Sequence, residues 1–209
     1  NLKHSKVKFL KKLNKNKKFK FIKCDINNRK KIKDIFNKYK FDIVVHLAGI
    51  VGDPASKLQK KLTRLTNDKS SKFLFNLCCE KKVKKFIFSS TCSNYGIVNS
   101  RKLANEKTKL KPLSLYAETK VNFEKFMMFK ATEIDMKLVI LRFATIFGLS
   151  ERMRFDLTIN QFTRDLFYKK KLDIFGHKTW RPYCHVKDVC RAILLTIKTK
   201  GKIDIYNAG

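Results

Sequence analysis

The chain has 209 residues, 44% of them hydrophobic and 12% aromatic, and carries a formal charge of +32 from 49 basic and 17 acidic side chains. That much apolar material excludes a disordered basic tail, and with only 7 Gly and 3 Pro the chain is neither a turn-rich sandwich nor a low-complexity polymer. An α/β fold of long helices and buried strands is the expectation.

Val7–Leu13 is too short and too basic to assign. Phe19–Ile26 alternates apolar and polar side chains as a half-exposed strand does, Asn27 and Asn28 supply a cap, and Ile32, Ile35 and Phe36 recur at helical spacing through Tyr39. Phe41–Leu47 is a β-branched run ending in Ala48-Gly49, the profile of a buried parallel strand. Leu58–Glu80 reads as one long helix, Val83–Ser89 as a strand, Leu115–Lys130 as a helix with Phe123, Phe126 and Met127 on one face, and Lys137–Phe143 as a strand. Such alternation predicts a parallel sheet covered by helices on both sides. The longest apolar run, Phe41–Gly52, is broken by Asp42 and His46 and falls short of a membrane span, so no membrane partner is expected.

The charge and the cysteines narrow the partners. Residues 1–40 hold 16 basic and 2 acidic side chains, yet lysines recur in every polar stretch, and 40 of the 49 basic residues are Lys. Nucleic-acid surfaces lean on the two-pronged Arg, so a solvated lysine-rich surface is expected rather than a specific nucleic-acid site. The competing reading is a catalytically silent, lysine-rich polyanion or nucleic-acid binding protein that retains the fold. Six cysteines (Cys24, Cys78, Cys79, Cys92, Cys184, Cys190) show no C-x-x-C pair and no matching His spacing. No metal site is expected; free buried thiols in a reducing cytoplasm are.

In parallel sheets, ligands gather at the carboxyl ends of the strands. The ends here are Asp25-Ile26, Ala48-Gly49-Ile50, Ser89-Ser90-Thr91 and Ala144-Thr145-Ile146, small and hydroxylic residues that let a flat ligand approach backbone closely. Tyr116 and Lys120 stand at i and i+4 on one helix face, where an ammonium can draw a phenol pKa down from about 10. Thr91, 25 residues upstream, offers a hydroxyl to the same cleft.

These residues, with CDI (24–26), HLAG (46–49), FSSTCSNYG (88–96), PLSLYAETK (112–120), LRFATIFG (141–148), WRPYCHVKDV (180–189) and the final YNAG (206–209), resemble the extended short-chain dehydrogenases/reductases, specifically the NAD-dependent nucleotide-sugar epimerase/dehydratase group. The resemblance implies a Rossmann-like doubly wound sheet over residues 1–148, with residues 149–209 forming part of a substrate-binding region interleaved with the last sheet elements. It implies NAD as cofactor, with NADP left open, contacted by Asp25, Ile26, Leu47, Ala48, Gly49, Ser89, Phe143, Tyr116 and Lys120. Thr91, Tyr116 and Lys120 would form the catalytic triad, Tyr116 exchanging a sugar hydroxyl proton while hydride moves to or from the nicotinamide. Thr91, Cys92, Ser93, Thr145, Asn160 and Arg181 would face a nucleotide-diphosphate sugar, Arg181 because its planar fork suits a pyrophosphate, unless it pairs with Asp188 instead. His185 is expected to be structural. The resemblance further implies a homodimer pairing the helix of Tyr116 with the helix after Leu58.

Three departures qualify it. Dehydratases of the group place an Asp-Glu pair directly after the catalytic Thr; Cys92 and Ser93 stand there, which favours epimerase, reductase or oxidase-type chemistry. Many epimerases carry Asn where this chain has Thr145. The glycine-rich strand-turn-helix that opens the family is not found before Gly49, so the sequence is expected to lack a first βαβ unit of roughly 30 to 40 residues, and to stop short of the family's end.

Overall fold

The computed structural model describes residues 13, 15–98, 103–150, 153–169, 171–172, 174 and 179–209, so the unassigned stretch, apart from Leu13, lies outside the described residues. Helix α1 (Arg29–Lys38) starts where Asn28 accepts a hydrogen bond from Lys31 N at 3.0 Å, satisfying a first-turn donor. Four parallel strands follow in the spatial order β1-β2-β3-β6: β1 (Ile43–His46), β2 (Lys85–Thr91), β3 (Lys137–Phe143) and β6 (Ile203–Ala208). The two central strands are buried on both faces, which is why VKKFIFS and KLVILRF carry apolar residues without clean alternation.

Phe75, Phe86, Phe88, Phe123, Met127, Leu138 and Ile140 fill one side of the sheet, under the helices α4 (Ser71–Glu80) and α5 (Leu115–Lys130). Burying each such side chain contributes about 1.5–3 kcal/mol. The rings meet edge to face, Phe88 and Phe123 at 4.7 Å between centroids. The opposite face packs Ile87, Val139, Leu141 and Phe143 against Val189 of α7 (Val186–Ile197). Lys85, buried in β2, closes the end of α7 by donating to the carbonyls of Thr196, Ile197 and Thr199 at 2.7–2.8 Å.

A second, two-stranded parallel sheet, β4 (Thr145–Phe147) with β5 (Tyr183–His185), ties the end of β3 to the segment before α7; between them lies α6 (Thr158–Lys169). No helix among the described residues is long and apolar enough to cross a membrane.

Two expectations need correction. Phe19–Ile26 is irregular chain that runs into a turn at Ile26, without strand pairing, because no neighbouring strand among the described residues takes its backbone hydrogen bonds. The long helix over 58–80 is broken into α2 (Asp53–Leu58), α3 (Lys60–Thr63), a π-helical turn (Arg64–Ser70) and α4. The cysteines differ as well: all six are free, but only Cys78 is fully buried and Cys190 is exposed.

Candidate active site

The site forms where β1 and β2 end and α5 begins. Ser114 caps α5 by accepting from Ala117 N at 3.3 Å, which puts Tyr116 and Lys120 on successive turns facing the sheet edge. Thr91, the last residue of β2, turns the chain into a short 3₁₀ segment (Cys92–Tyr95) by accepting from Ser93 N at 3.2 Å, and its hydroxyl lies close enough to the Tyr116 phenol to favour the phenolate. Lys120 Nζ donates to the Ser89 carbonyl at 2.6 Å and lies 5.9 Å from the Tyr116 ring centroid. Thr91, Tyr116 and Lys120 thus converge, with Ser89 and Gly49 beside them. A Cβ on Gly49 would stand 3.1 Å from the Asn67 amide and 3.9 Å from Lys120 Nζ, so the absent side chain keeps open the space in front of the ammonium.

Electrostatics in the site run against the spacing argument. Burial pushes the Tyr116 phenol up to about 12, although the nearby Thr91 hydroxyl favours the phenolate. Burial also holds the Lys120 ammonium down to about 8, partly offset by Glu124 one turn on. His46, stacked on Phe88 and bonded through Nε2 to Ser71 Oγ at 2.8 Å, is held down to about 3 by burial and by the neighbouring Lys120, so it is neutral.

The remaining candidates are spread around this centre. Leu47 and Ala48 are exposed beyond β1. Asp25 closes an Asx turn by accepting from Asn27 N at 2.9 Å, and Ile26 packs against the core. Phe143 is buried opposite Thr91 in the strand register. Cys92 and Ser93 are half-buried, and Arg181 is exposed but close enough for its charge to favour the Cys92 thiolate against burial. Asp188 pairs with Arg191 at 3.0 Å rather than with Arg181. Thr145 N donates to the Pro182 carbonyl at 3.1 Å, which brings Arg181 to the site. Asn160 is buried, accepting from Gly148 N and donating to Arg154 O, both at 3.2 Å. His185 caps α7, accepting from Lys187 N at 3.3 Å. Among the described residues, no cluster of three or more His, Cys, Asp or Glu is placed to hold a metal ion.

Two residues escaped the sequence reading. Asn67, buried in the π-turn, accepts from Ile50 N at 2.8 Å and donates to Ile50 O at 2.9 Å and Thr119 Oγ1 at 3.3 Å, tying the Gly49-Ile50 strip to the Tyr116 helix. An Asn inside an otherwise regular helical pattern is the signal that could have marked it. Arg154, gripping Asp156 at 2.5 Å, reaches over Gly52 toward Tyr116.

A parallel sheet whose carboxyl edge gathers a Thr hydroxyl, a Tyr phenol and a Lys ammonium defines a dehydrogenase-type site of the short-chain class. Residues 2–209 match the NAD dependent epimerase/dehydratase family, and the chain belongs to it. It is 30% identical over 202 residues to a UDP-glucuronate 4-epimerase of Thermodesulfobacterium geofontis, covering 96% of this chain and 61% of that protein. It is equally 30% identical over 204 residues to a dTDP-D-glucose 4,6-dehydratase of Dictyostelium discoideum, covering 91% and 46%. Among solved structures, a UDP-glucuronic acid 4-epimerase from Bacillus cereus, in complex with UDP-glucuronic acid and NAD, superposes with a TM-score of 0.83 at 29% identity, covering 97% of this chain and 64% of that one. A UDP-glucose 4-epimerase from Thermotoga maritima, with UDP-glucose, gives 0.81 at 28%, covering 93% and 63%. The chain therefore spans about half to two-thirds of the length of these relatives.

Proposed function

We propose that this chain carries the catalytic centre of an NAD-dependent nucleotide-sugar epimerase or related oxidoreductase. The observation that carries the reading is the convergence of Thr91, Tyr116 and Lys120 beside the open Gly49. Leu47, Ala48, Gly49, Ser89, Phe143, Tyr116 and Lys120 fit the nicotinamide and ribose half of a dinucleotide: exposed apolar backbone beside a flat space, and an ammonium that spends one N–H on the Ser89 carbonyl and has two more for ribose hydroxyls. Asp25 and Ile26 are proposed for the adenine side. No glycine precedes Gly49, and no residue is proposed for the pyrophosphate of the cofactor. NAD bound there supplies the hydride acceptor and donor.

The chain's own residues manage the proton. Tyr116, protonated at neutral pH by its burial, holds the proton on its phenol oxygen, and Thr91 beside it favours the phenolate when the proton leaves and orients a sugar hydroxyl. Lys120 contributes positive charge beside the phenol and lowers the cost of the phenolate when it forms. Arg181, Asn160, Thr145, Cys92 and Ser93 line the side from which a nucleotide-diphosphate sugar enters, Arg181 meeting the diphosphate. Cys92 in place of a carboxylate favours epimerisation over dehydration, since elimination of water needs an added acid and base. Exposed Leu58, Leu62 and Leu65 on α2, α3 and the π-turn, together with exposed Met128 and Phe129 on α5, support pairing of two copies through these helices. The six free thiols fit a reducing compartment such as the cytoplasm.

The test is to incubate the full-length protein with NAD and a panel of UDP-, GDP- and dTDP-sugars, and follow product formation. Turnover with at least one sugar, reduced at least about 100-fold in Tyr116→Phe, is the expected result. No turnover with any of them, or equal rates in Tyr116→Phe, overturns the proposal.

A further inference from the structure

Ser90, Arg142 and Asn207 stand side by side on β2, β3 and β6, one step before the row that contains Thr91. Over this row α5 sets down Glu124, four residues past Lys120 and eight past Tyr116, on the same helix face. Glu124 and Arg142 are 3% and 4% exposed. Arg142 Nη2 donates to Glu124 Oε2 at 2.7 Å, and its Nε to both carboxylate oxygens at 3.2 Å. The other bonds of the pair go to different elements. Glu124 also accepts from Ser90 Oγ and, at 2.8 Å, from Asn94 Nδ2. Arg142 Nη1 donates to the Tyr95 hydroxyl at 2.8 Å and the Glu106 carbonyl at 3.0 Å, and Tyr95 donates onward to Asn207 at 2.7 Å.

A buried ion pair is an expensive way to gain stability, since desolvation consumes most of the attraction and apolar side chains of similar volume commonly do as well or better. What apolar contacts do not provide is register. A helix can slide or rotate over a greasy sheet by a fraction of a turn, whereas a carboxylate gripped by a planar fork and two further donors fixes both position and rotation. Lys120 and Tyr116 lie one and two turns of about 5.4 Å from that grip.

We propose that Glu124, gripped by Arg142, is a positioning residue that sets the register of Tyr116 and Lys120 against Thr91 and Ser89. Its kinetic consequence rests on the reaction proposed above; its geometric consequence does not.

The experiment uses the double variant E124L/R142M in the full-length protein, which replaces the pair with apolar groups and leaves no charge unpartnered. Expected are a thermal midpoint equal to or above wild type, KM within about twofold, and kcat lowered about 30- to 100-fold. In its crystal structure, Lys120 Nζ moves beyond hydrogen-bond reach of the Ser89 carbonyl, 2.6 Å away in the native geometry, and Tyr116 leaves Thr91. A folded double variant with wild-type kcat, or with Lys120 and Tyr116 superimposed on their native positions, overturns the proposal. Should the double variant not fold, R142K keeps the charge and loses the fork; a kcat about tenfold lower at unchanged KM supports the proposal, and wild-type kcat overturns it. A wild type without turnover on every sugar sinks the reaction, while the two crystal structures still decide the positioning.

Discussion

Replacing Lys120 by Met should stabilise the fold while abolishing turnover. Lys120 is 4% exposed, and burial lowers its ammonium from 10.5 to about 8. At about 1.4 kcal/mol per pKa unit, keeping the charge in the folded protein at pH 7 costs about 3 kcal/mol. Met removes that cost at similar length and keeps the packing against Phe88, over whose ring the ammonium lies at 4.6 Å. It gives up the bond to the Ser89 carbonyl, worth about 1.5–3 kcal/mol, and leaves a net gain of roughly 1 kcal/mol at pH 7. Between about pH 8 and 10.5 the folded wild type has released the proton that its unfolded chain still binds, so wild-type stability rises with pH across this window. The penalty is full below pH 8 and gone above 10.5, and the advantage of Met shrinks and reverses over the same range. Urea unfolding of both proteins at pH 7 and pH 10, followed by circular dichroism, reads the difference. A variant less stable at pH 7 by more than 1 kcal/mol, or a difference independent of pH, would refute the reasoning.

The same substitution at the buried Lys85 should have the opposite sign. Lys85→Met strips the ammonium from three carbonyls at the end of α7, costing about 2–4 kcal/mol and lowering the thermal midpoint by about 5–15 °C in a melting scan; an unchanged midpoint contradicts the assignment. Gly96→Ala forces a Cβ to 2.1 Å from the Lys111 carbonyl at a φ of +68°, so a loss of about 2–5 kcal/mol in denaturant unfolding is expected, and a loss under 1 kcal/mol would show that the 105–113 segment yields freely. Arg181→Ala should raise KM for the nucleotide sugar at least about tenfold with kcat held within about threefold, as steady-state kinetics would show; an unchanged KM removes Arg181 from the diphosphate site.

Legibility in the sequence followed what each signal measures. Leu115–Lys130 and Lys137–Phe143 were readable to the residue because Ser114 caps one and the other is an apolar run interrupted at Arg142. Phe19–Ile26 failed because alternation belongs to one segment while a strand needs two, and no partner lies beside it among the described residues. The Tyr116–Lys120 spacing correctly placed two groups on one face, yet proximity says nothing about desolvation, and desolvation sets the phenol near 12. Lys85, Glu124 and Arg142 were invisible as buried groups, since a charged letter in a strand or helix reads as surface until its partners on other elements are known.

The π-turn at Arg64–Ser70 widens the helix locally, so the segments on either side are out of phase with a regular 3.6-residue repeat. That phase shift lets Thr66 and Ser70 meet Asn27 while Asn67 turns to Ile50 and Leu74, Phe75 and Cys78 still face the core. Deleting a single residue there would restore an ordinary helix and rotate one half by about 100° against the other. Either the aromatic core or the amide clamp on Ile50 would then be lost, so the segment tolerates changes of letter far better than changes of length.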